Sequence, residues 1–356
     1  MSAKTTAQNR TIKQSVGNNA GVGHEHAMKA IVQGGYGAPQ QVLKLEEIDR
    51  PSAGDDEVLI RVRATSVNTP DWITVAGVPY ILRLKSGLMG PSTKVRGSDV
   101  AGVVEAVGRN VTDLLRGDEV FGSAWADTLA TAGTFAEFTV VPASQLIKKP
   151  AGLTFEEAAA SVMSGITAMI AMRDVGHVGP GTRVLINGAS GGVGTFAVQI
   201  AKALGAEVTG VSSKRNIELI RSLGADHVID YTEEDYTNGE QRYDVILDNV
   251  MNHPSSSTAR VLVPAGTLIP NSIGNAGGLF AGLLRGARAA MMGRRDSRVQ
   301  FVKCVVNREN LQALATLLES GQVNVVIDKV YPLSDAAEAV AHMLGHHATG
   351  KVAITV

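Results

Sequence analysis

The stretch GTRVLINGASGGVGTFAVQIAKALGAEVTGVSSKRN, Gly181 to Asn216, decides the fold. A short apolar run, Val184 to Asn187, reads as a buried strand and leads into Gly188-Ala-Ser-Gly-Gly-Val-Gly194. Past the glycines, Val193, Phe196, Ala197, Ile200, Ala201 and Leu204 recur at helical spacing and give one apolar face for a sheet to cover. A second strand, EVTGVS, follows. Strand, glycine turn, helix and strand in that order predict a parallel, doubly wound α/β sheet.

The turn has a ligand chemistry of its own. Gly191 lets the backbone approach a pyrophosphate, Gly194 lets the helix pack on the strand, and the helix N-terminus offers unpaired N–H groups to phosphate oxygens. The register reads Ala189-x-Gly191-x-x-Gly194, so alanine stands at the first glycine of the usual fingerprint, and the surrounding pattern carries the assignment. About 20 residues on, where an Asp or Glu would hold the ribose 2′-OH of NADH, the sequence reads Ser212-Ser213-Lys214-Arg215. Hydroxyls and cations suit a 2′-phosphate, so NADPH is the expected cofactor. The plainer reading makes Lys214 and Arg215 the solvated start of a helix.

Working outward, alternation of strand and helix continues through "NIELIRSLG", "HVIDY", "DVILDNV" and "GTLIPNS" to about Val306. Upstream, Thr154 with Glu157 is a capping-box pattern opening a helix. From Met28 to about Pro150 the text changes to short strand-like runs such as "EVLIRVRATSVN" and "DVAGVVEAVG", which predict an all-β region, a barrel. Helices are expected over Leu311–Ser320 and Ser334–Leu344, then a last strand, "KVAITV".

The 356 residues suit about two domains. A net charge of -1 with 19% charged residues argues against a nucleic-acid binder, and the single Cys304 excludes an intramolecular disulfide and any multi-cysteine metal cage. One cysteine suits a reducing, cytoplasmic setting. Residues 1–27 read as a disordered tail without a secretory h-region; their cations, with no acid before Glu25, leave a transit peptide as the alternative.

At this point "GASGGVG", "SGITA", "GRNVTDLLRGDEVFG", "GADHVIDY" and "GKVAITV" together resemble the medium-chain dehydrogenase/reductase superfamily, in its zinc-free, quinone oxidoreductase-like branch. The resemblance covers Met28 to Val356 and implies a GroES-like β-barrel catalytic domain with a Rossmann domain inserted. The expected boundaries are 28–151 and 307–356 for the catalytic domain and 152–306 for the Rossmann domain. Zinc-dependent relatives carry a Cys, a His and a further Cys where this chain reads Asn68-Thr69-Pro70-Asp71, Gly97-Ser98-Asp99 and about Ser164. None offers a thiolate or imidazole, so no catalytic zinc is expected.

The resemblance places Asn68, Asp71 and Tyr80 on a loop beside the nicotinamide: Asn68 as a contact to substrate or ribose, Tyr80 as a donor to a developing oxyanion or simply cleft wall. It assigns the cofactor to Thr167, Ala189, Ser190, Gly191, Gly192, Val193, Gly194, Ser212, Lys214, Arg215, Asn249 and Lys351. His342 and His346 have the spacing of a metal pair, but no third ligand follows and a solvated helix end reads better. Leu279 to Arg298 mixes apolar residues with arginines; an insertion or subunit contact, as in a homodimer, fits better than a membrane-facing helix because Gly282 and Gly286 weaken a helix there.

The expected function is NADPH-dependent reduction of a quinone or α,β-unsaturated carbonyl, a small molecule whose conjugation spreads the developing charge without a metal. The enolate can then collect its proton from water. A zinc-free alcohol dehydrogenase or carbonyl reductase is one alternative. A non-catalytic NADPH-binding scaffold is the other.

Overall fold

The computed structural model describes residues 27–78, 83–87, 90–125, 133–272, 291, 298–345 and 348–356. The expectations for the tail, Tyr80, His346 and Leu279–Arg298 apart from Met291 and Arg298 lie outside the described residues.

Strands β1 (Ala27–Gln33) and β2 (Leu43–Asp49) form an antiparallel ribbon. Next come β3 (Glu57–Ser66), β4 (Asp99–Val107), β5 (Glu119–Ser123), β6 (Phe138–Pro142) and β7 (Leu146–Lys148). Alternate residues of these strands, among them Val58, Ile60, Val62, Val100, Val104, Val120, Val141 and Leu146, close on one apolar cluster. That is what period-2 patterning on one buried face produces.

The capping box read at Thr154 is present: its hydroxyl accepts from the Glu157 N–H at 3.1 Å and Glu157 accepts from the Thr154 N–H at 2.9 Å. The helix it starts, Phe155–Met169, presents Ala158, Ala159 and Val162 to a core shared with Ala64, Ala101 and Phe121 of the β-region, and with Ile186 and Phe196 of the second sheet. It therefore packs between the two halves.

In the second sheet, β8 (Arg183–Asn187) sends Val184 and Ile186 into one cluster and Leu185 into another, the double burial of a central parallel strand. With β9 (Glu207–Ser212), β10 (His227–Asp230), β11 (Tyr243–Asp248) and β12 (Leu262–Pro270) it gives the parallel order β10-β9-β8-β11-β12. The order reverses beside β8, and such a switch point is where these sheets bind nucleotides.

The chain then returns. The helix Arg308–Glu319 begins before the expected Leu311, because the Asn307 side chain caps it by accepting from the Asn310 N–H. Strands β13 (Ile327–Pro332) and β14 (Lys351–Thr355) join the first sheet, which reads β13-β14-β3-β4-β5-β7 with β6 on β3. β14 pairs antiparallel with β3, setting Ala353 opposite Ser66. The hydrogen-bonded path runs open from β13 to β7 among the described residues. His342, partly exposed in the last turn of the helix Ala336–Leu344, also ties that helix to β13: its Nε2 lies 2.6 Å from Asp328 and its Nδ1 3.1 Å from the Tyr331 hydroxyl.

Candidate active site

The glycine-rich turn separates two reasons for glycine. A Cβ on Gly194 would lie 2.1 Å from the Gly188 carbonyl oxygen, so the protein itself forbids a side chain there. On Gly191, the N-cap of the helix Gly192–Ala203, a Cβ would meet only that same oxygen, at 3.5 Å. Packing leaves Gly191 free to be another residue; the open space over the helix N-terminus is what a pyrophosphate would use. The left-handed residue of the turn is Gly188, φ 77°, rather than position 189, which explains how buried Ala189 is accommodated. Gly188 was visible in the sequence but passed over.

Beside the turn, Asn249 packs against Gly188 and its buried Nδ2 has no hydrogen-bond partner among the described residues, while its Oδ1 accepts from Asn271 at 2.8 Å. Such a donor suits a cofactor oxygen. Asn249 follows Asp248, a buried carboxylate whose pKa burial pushes up; it accepts from the Val250 and Met251 N–H groups and from Asn187 Nδ2. Asp248 thereby fixes the loop that carries Asn249. Thr167 lies within the helix Phe155–Met169, buried near Cys304, whose thiol burial raises to about 11.

Ser212 ends β9 and is buried, and Lys214 and Arg215 follow it, both exposed. Lys214 Nζ lies 3.5 Å from Glu233, and the Lys214 backbone N–H reaches Asp230. Acids thus share this rim with the cations. Tyr231, 57% exposed, donates its N–H to the Ser212 carbonyl and so stands at the same rim, a position the sequence reading missed because "HVIDY" read only as a strand.

Next to the turn lies a cluster of buried polar groups. Asn68 Nδ2 donates to Asp99 Oδ2 at 2.8 Å, and Lys351 Nζ donates to Asn68 Oδ1 at 2.5 Å and to the Val67 carbonyl at 3.2 Å. Ser66 Oγ and the Met163 N–H also donate to Asp99 Oδ2. Both ends of the Asn68 amide are therefore spent on protein. Asn68 thereby sets the places of Asp99 and Lys351.

Asp71 and Trp72 are not on a loop, as expected, but in the helix Thr69–Ala76. Pro70 sits in the first turn, where proline is tolerated, and Asp71 Oδ2 accepts from the Asn68 N–H at 2.8 Å. The Lys351 stem lies against the glycine turn: a Cβ on Gly192 would come 3.1 Å from its Cδ. Gly350, next to it, donates its N–H to the Ser190 carbonyl at 2.8 Å and bridges Gly191. Lys351 thus links the turn to the cluster.

Burial dominates the electrostatics here. It pushes Asp71 up to about 7, against the Asn68 N–H and the Arg96 and Lys351 charges, with Asp99 adding to the rise. Burial likewise raises Asp99 and lowers Lys351, each opposed by the other's charge. Arg96, 2% exposed, is lowered by burial to about 10. Nothing in the sequence marks Arg96, since an arginine before "GSD" is a surface residue by default.

The comparisons agree with this layout. Residues 54–151 match the alcohol dehydrogenase GroES-like domain and residues 223–354 match the family described as zinc-binding dehydrogenase. Mouse mitochondrial NAD(P)H oxidoreductase RTN4IP1 is 34% identical over 85% of this chain and 82% of its own length. The quinone oxidoreductase of Pseudomonas aeruginosa is 32% identical over 92% and 99%. The solved quinone oxidoreductase of Coxiella burnetii superposes with a TM-score of 0.81 at 28% identity, covering 93% of this chain and 99% of that one.

Proposed function

Because the chain belongs to the medium-chain dehydrogenase/reductase superfamily, in its quinone oxidoreductase-like branch, and is an oxidoreductase of that family, we propose that it uses NADPH to reduce a quinone or an α,β-unsaturated carbonyl without a catalytic zinc. The observation that carries the reading is the donor set in the cleft. Asn68, Ser98, Asp99 and Ser164 supply one carboxylate, two hydroxyls and an amide already bonded on both sides. Tetrahedral zinc favours thiolate and imidazole, and these four positions offer neither; the nearby Cys304 thiol donates to the Met163 carbonyl, and burial raises its pKa to about 11.

The residues at the turn fit a nicotinamide dinucleotide. Gly191 to Gly194 would hold its pyrophosphate, the unpartnered Asn249 Nδ2 a ring or ribose oxygen, and Ser212, Lys214 and Arg215 its 2′-phosphate. When bound, it supplies hydride. Asp230 and Glu233 offset part of the positive field at the rim, so the preference for NADPH rests on few net charges.

The protein contributes orientation and field. Lys351 holds Asn68 and Asp99 against the turn, the helix Thr69–Ala76 brings Asp71 and Trp72 to the same place, and the buried cations Lys351 and Arg96 favour the negative charge that spreads through a conjugated carbonyl as it accepts hydride. A saturated ketone has no conjugation to spread that charge, and a zinc-free site offers it no Lewis acid.

The test is NADPH and NADH consumption against a panel of quinones, enones and the matching saturated ketones, with elemental analysis of the same preparation. Enone or quinone turnover by protein holding no stoichiometric zinc supports the reading. Preference for the saturated ketone would turn it toward carbonyl reduction, and consumption with none of them toward a binding scaffold.

A further inference from the structure

We propose that Asp71 is the proton donor that completes the reduction of an α,β-unsaturated carbonyl, and that Arg96 is placed to receive the carboxylate left behind. This rests on the hydride-transfer reading above and goes beyond it, replacing water with a side chain as the source of the proton.

Asp71 stands in the first turn of its helix, 4% exposed. One carboxyl oxygen accepts the Asn68 N–H, and the other has no partner among the described residues. That second oxygen can carry a proton. The charged groups acting on Asp71 are Asp99 from β4, Lys351 from β14 and Arg96 from the segment leading into β4.

Lys351 is bonded to Asn68, and Asn68 in turn to Asp99, so one cation offsets one acid. Arg96 is left over. Its Nε and Nη2 are buried without a hydrogen-bond partner among the described residues. These two nitrogens lie along one edge of the guanidinium, the edge that takes both oxygens of a carboxylate side by side. An unpaired buried cation edge is costly, so a second state in which it is paired is expected. Ionised Asp71 is the acid that can supply that partner. Burial holding Asp71 at about 7 is consistent with a proton resting there near neutral pH.

The step balances. Once hydride has added to the β-carbon, the electron pair of the former double bond lies over the enolate; the O–H bond of Asp71 breaks as a C–H bond forms at the α-carbon. Asp71, now a carboxylate, turns to Arg96 and later regains a proton from solvent. A quinone takes its protons on oxygen, where water exchanges them, and makes no such demand.

That contrast is the experiment. Wild type, Asp71→Asn, Arg96→Met and Arg96→Lys are assayed with methyl vinyl ketone and with p-benzoquinone across pH. Asn at 71 still accepts the Asn68 N–H but has no carboxyl proton. The enone/quinone ratio of kcat should fall by at least about 30-fold in Asp71→Asn, within the range of general acid catalysis. An equal fall with both substrates would show a structural role and overturn the proposal. In wild type the enone kcat should decline as pH rises through about 7.

Losing the Arg96 charge should move that decline upward by about one pH unit, with Arg96→Lys close to wild type. An unmoved limb in Arg96→Met would overturn the part given to Arg96. Carboxyl carbon NMR of cofactor-free protein, with Asp71→Asn as the subtraction, reads the same proton without turnover. A carboxyl already ionised at pH 5 or so would refute the donor. If wild type reduces neither substrate, the hydride-transfer reading fails, while the NMR titration of wild type and Arg96→Lys still decides the pair.

Discussion

The two halves of the site are built on opposite principles. The glycine turn, Gly188 to Gly194, works through backbone: one left-handed glycine, one glycine forced by packing, one left open for a ligand, and a helix end. The neighbouring cluster works through side chains drawn from remote parts of the chain; Lys351 and Asn68 are 283 residues apart. A backbone site tolerates change wherever no atom is approached. A charged buried cluster tolerates little where its members are chained together, as Lys351, Asn68 and Asp99 are.

Lys351→Met should therefore have the largest effect. It leaves Asp99 as a buried carboxylate without its cation and Asn68 Oδ1 without a donor, and should cost about 3–5 kcal/mol of stability, read by denaturant unfolding. A loss below about 1 kcal/mol would mean that water reaches the cluster, and the contrast between the halves would weaken.

In the other half the contrast can be sharpened within one turn. Gly194→Ala drives a Cβ to 2.1 Å from a backbone oxygen and should destabilise by about 1–3 kcal/mol. Gly191→Ala has an allowed backbone, φ -82° and ψ 176°, and should leave stability within about 0.5 kcal/mol while weakening NADPH at least about tenfold by calorimetry. Equal effects of the two substitutions on stability would erase the distinction drawn between them.

The smallest effect belongs to the rim. Both cations there are exposed and Lys214 already has Glu233 at 3.5 Å, so Lys214→Ala with Arg215→Ala should weaken NADPH by about 1–2 kcal/mol, less than two unopposed charges would give. NADH binding should change little. Equal weakening of both cofactors would move the 2′-phosphate elsewhere.

The same division explains what could be read in advance. The turn, its helix face and the Thr154–Glu157 box were legible because each is written within a few consecutive residues. The helix at Thr69 was not, because Thr69-Pro70 looks like a break unless the proline is placed in a first turn. Asn68 and Lys351 could be named from resemblance, but that one amide bonds both Lys351 and Asp99 is a fact of three-dimensional closure. Arg96 carried no pattern at all; only burial without a partner marks it.

Hydride transfer to a conjugated acceptor is the claim on which the rest depends. NADPH carrying deuterium at the transferable C4 position, incubated with the protein and an enone, tests it most directly through deuterium NMR of the product. The label should appear on the β-carbon of a saturated ketone. Label on the carbinol carbon of an allylic alcohol, or label retained entirely in the cofactor, would contradict the account.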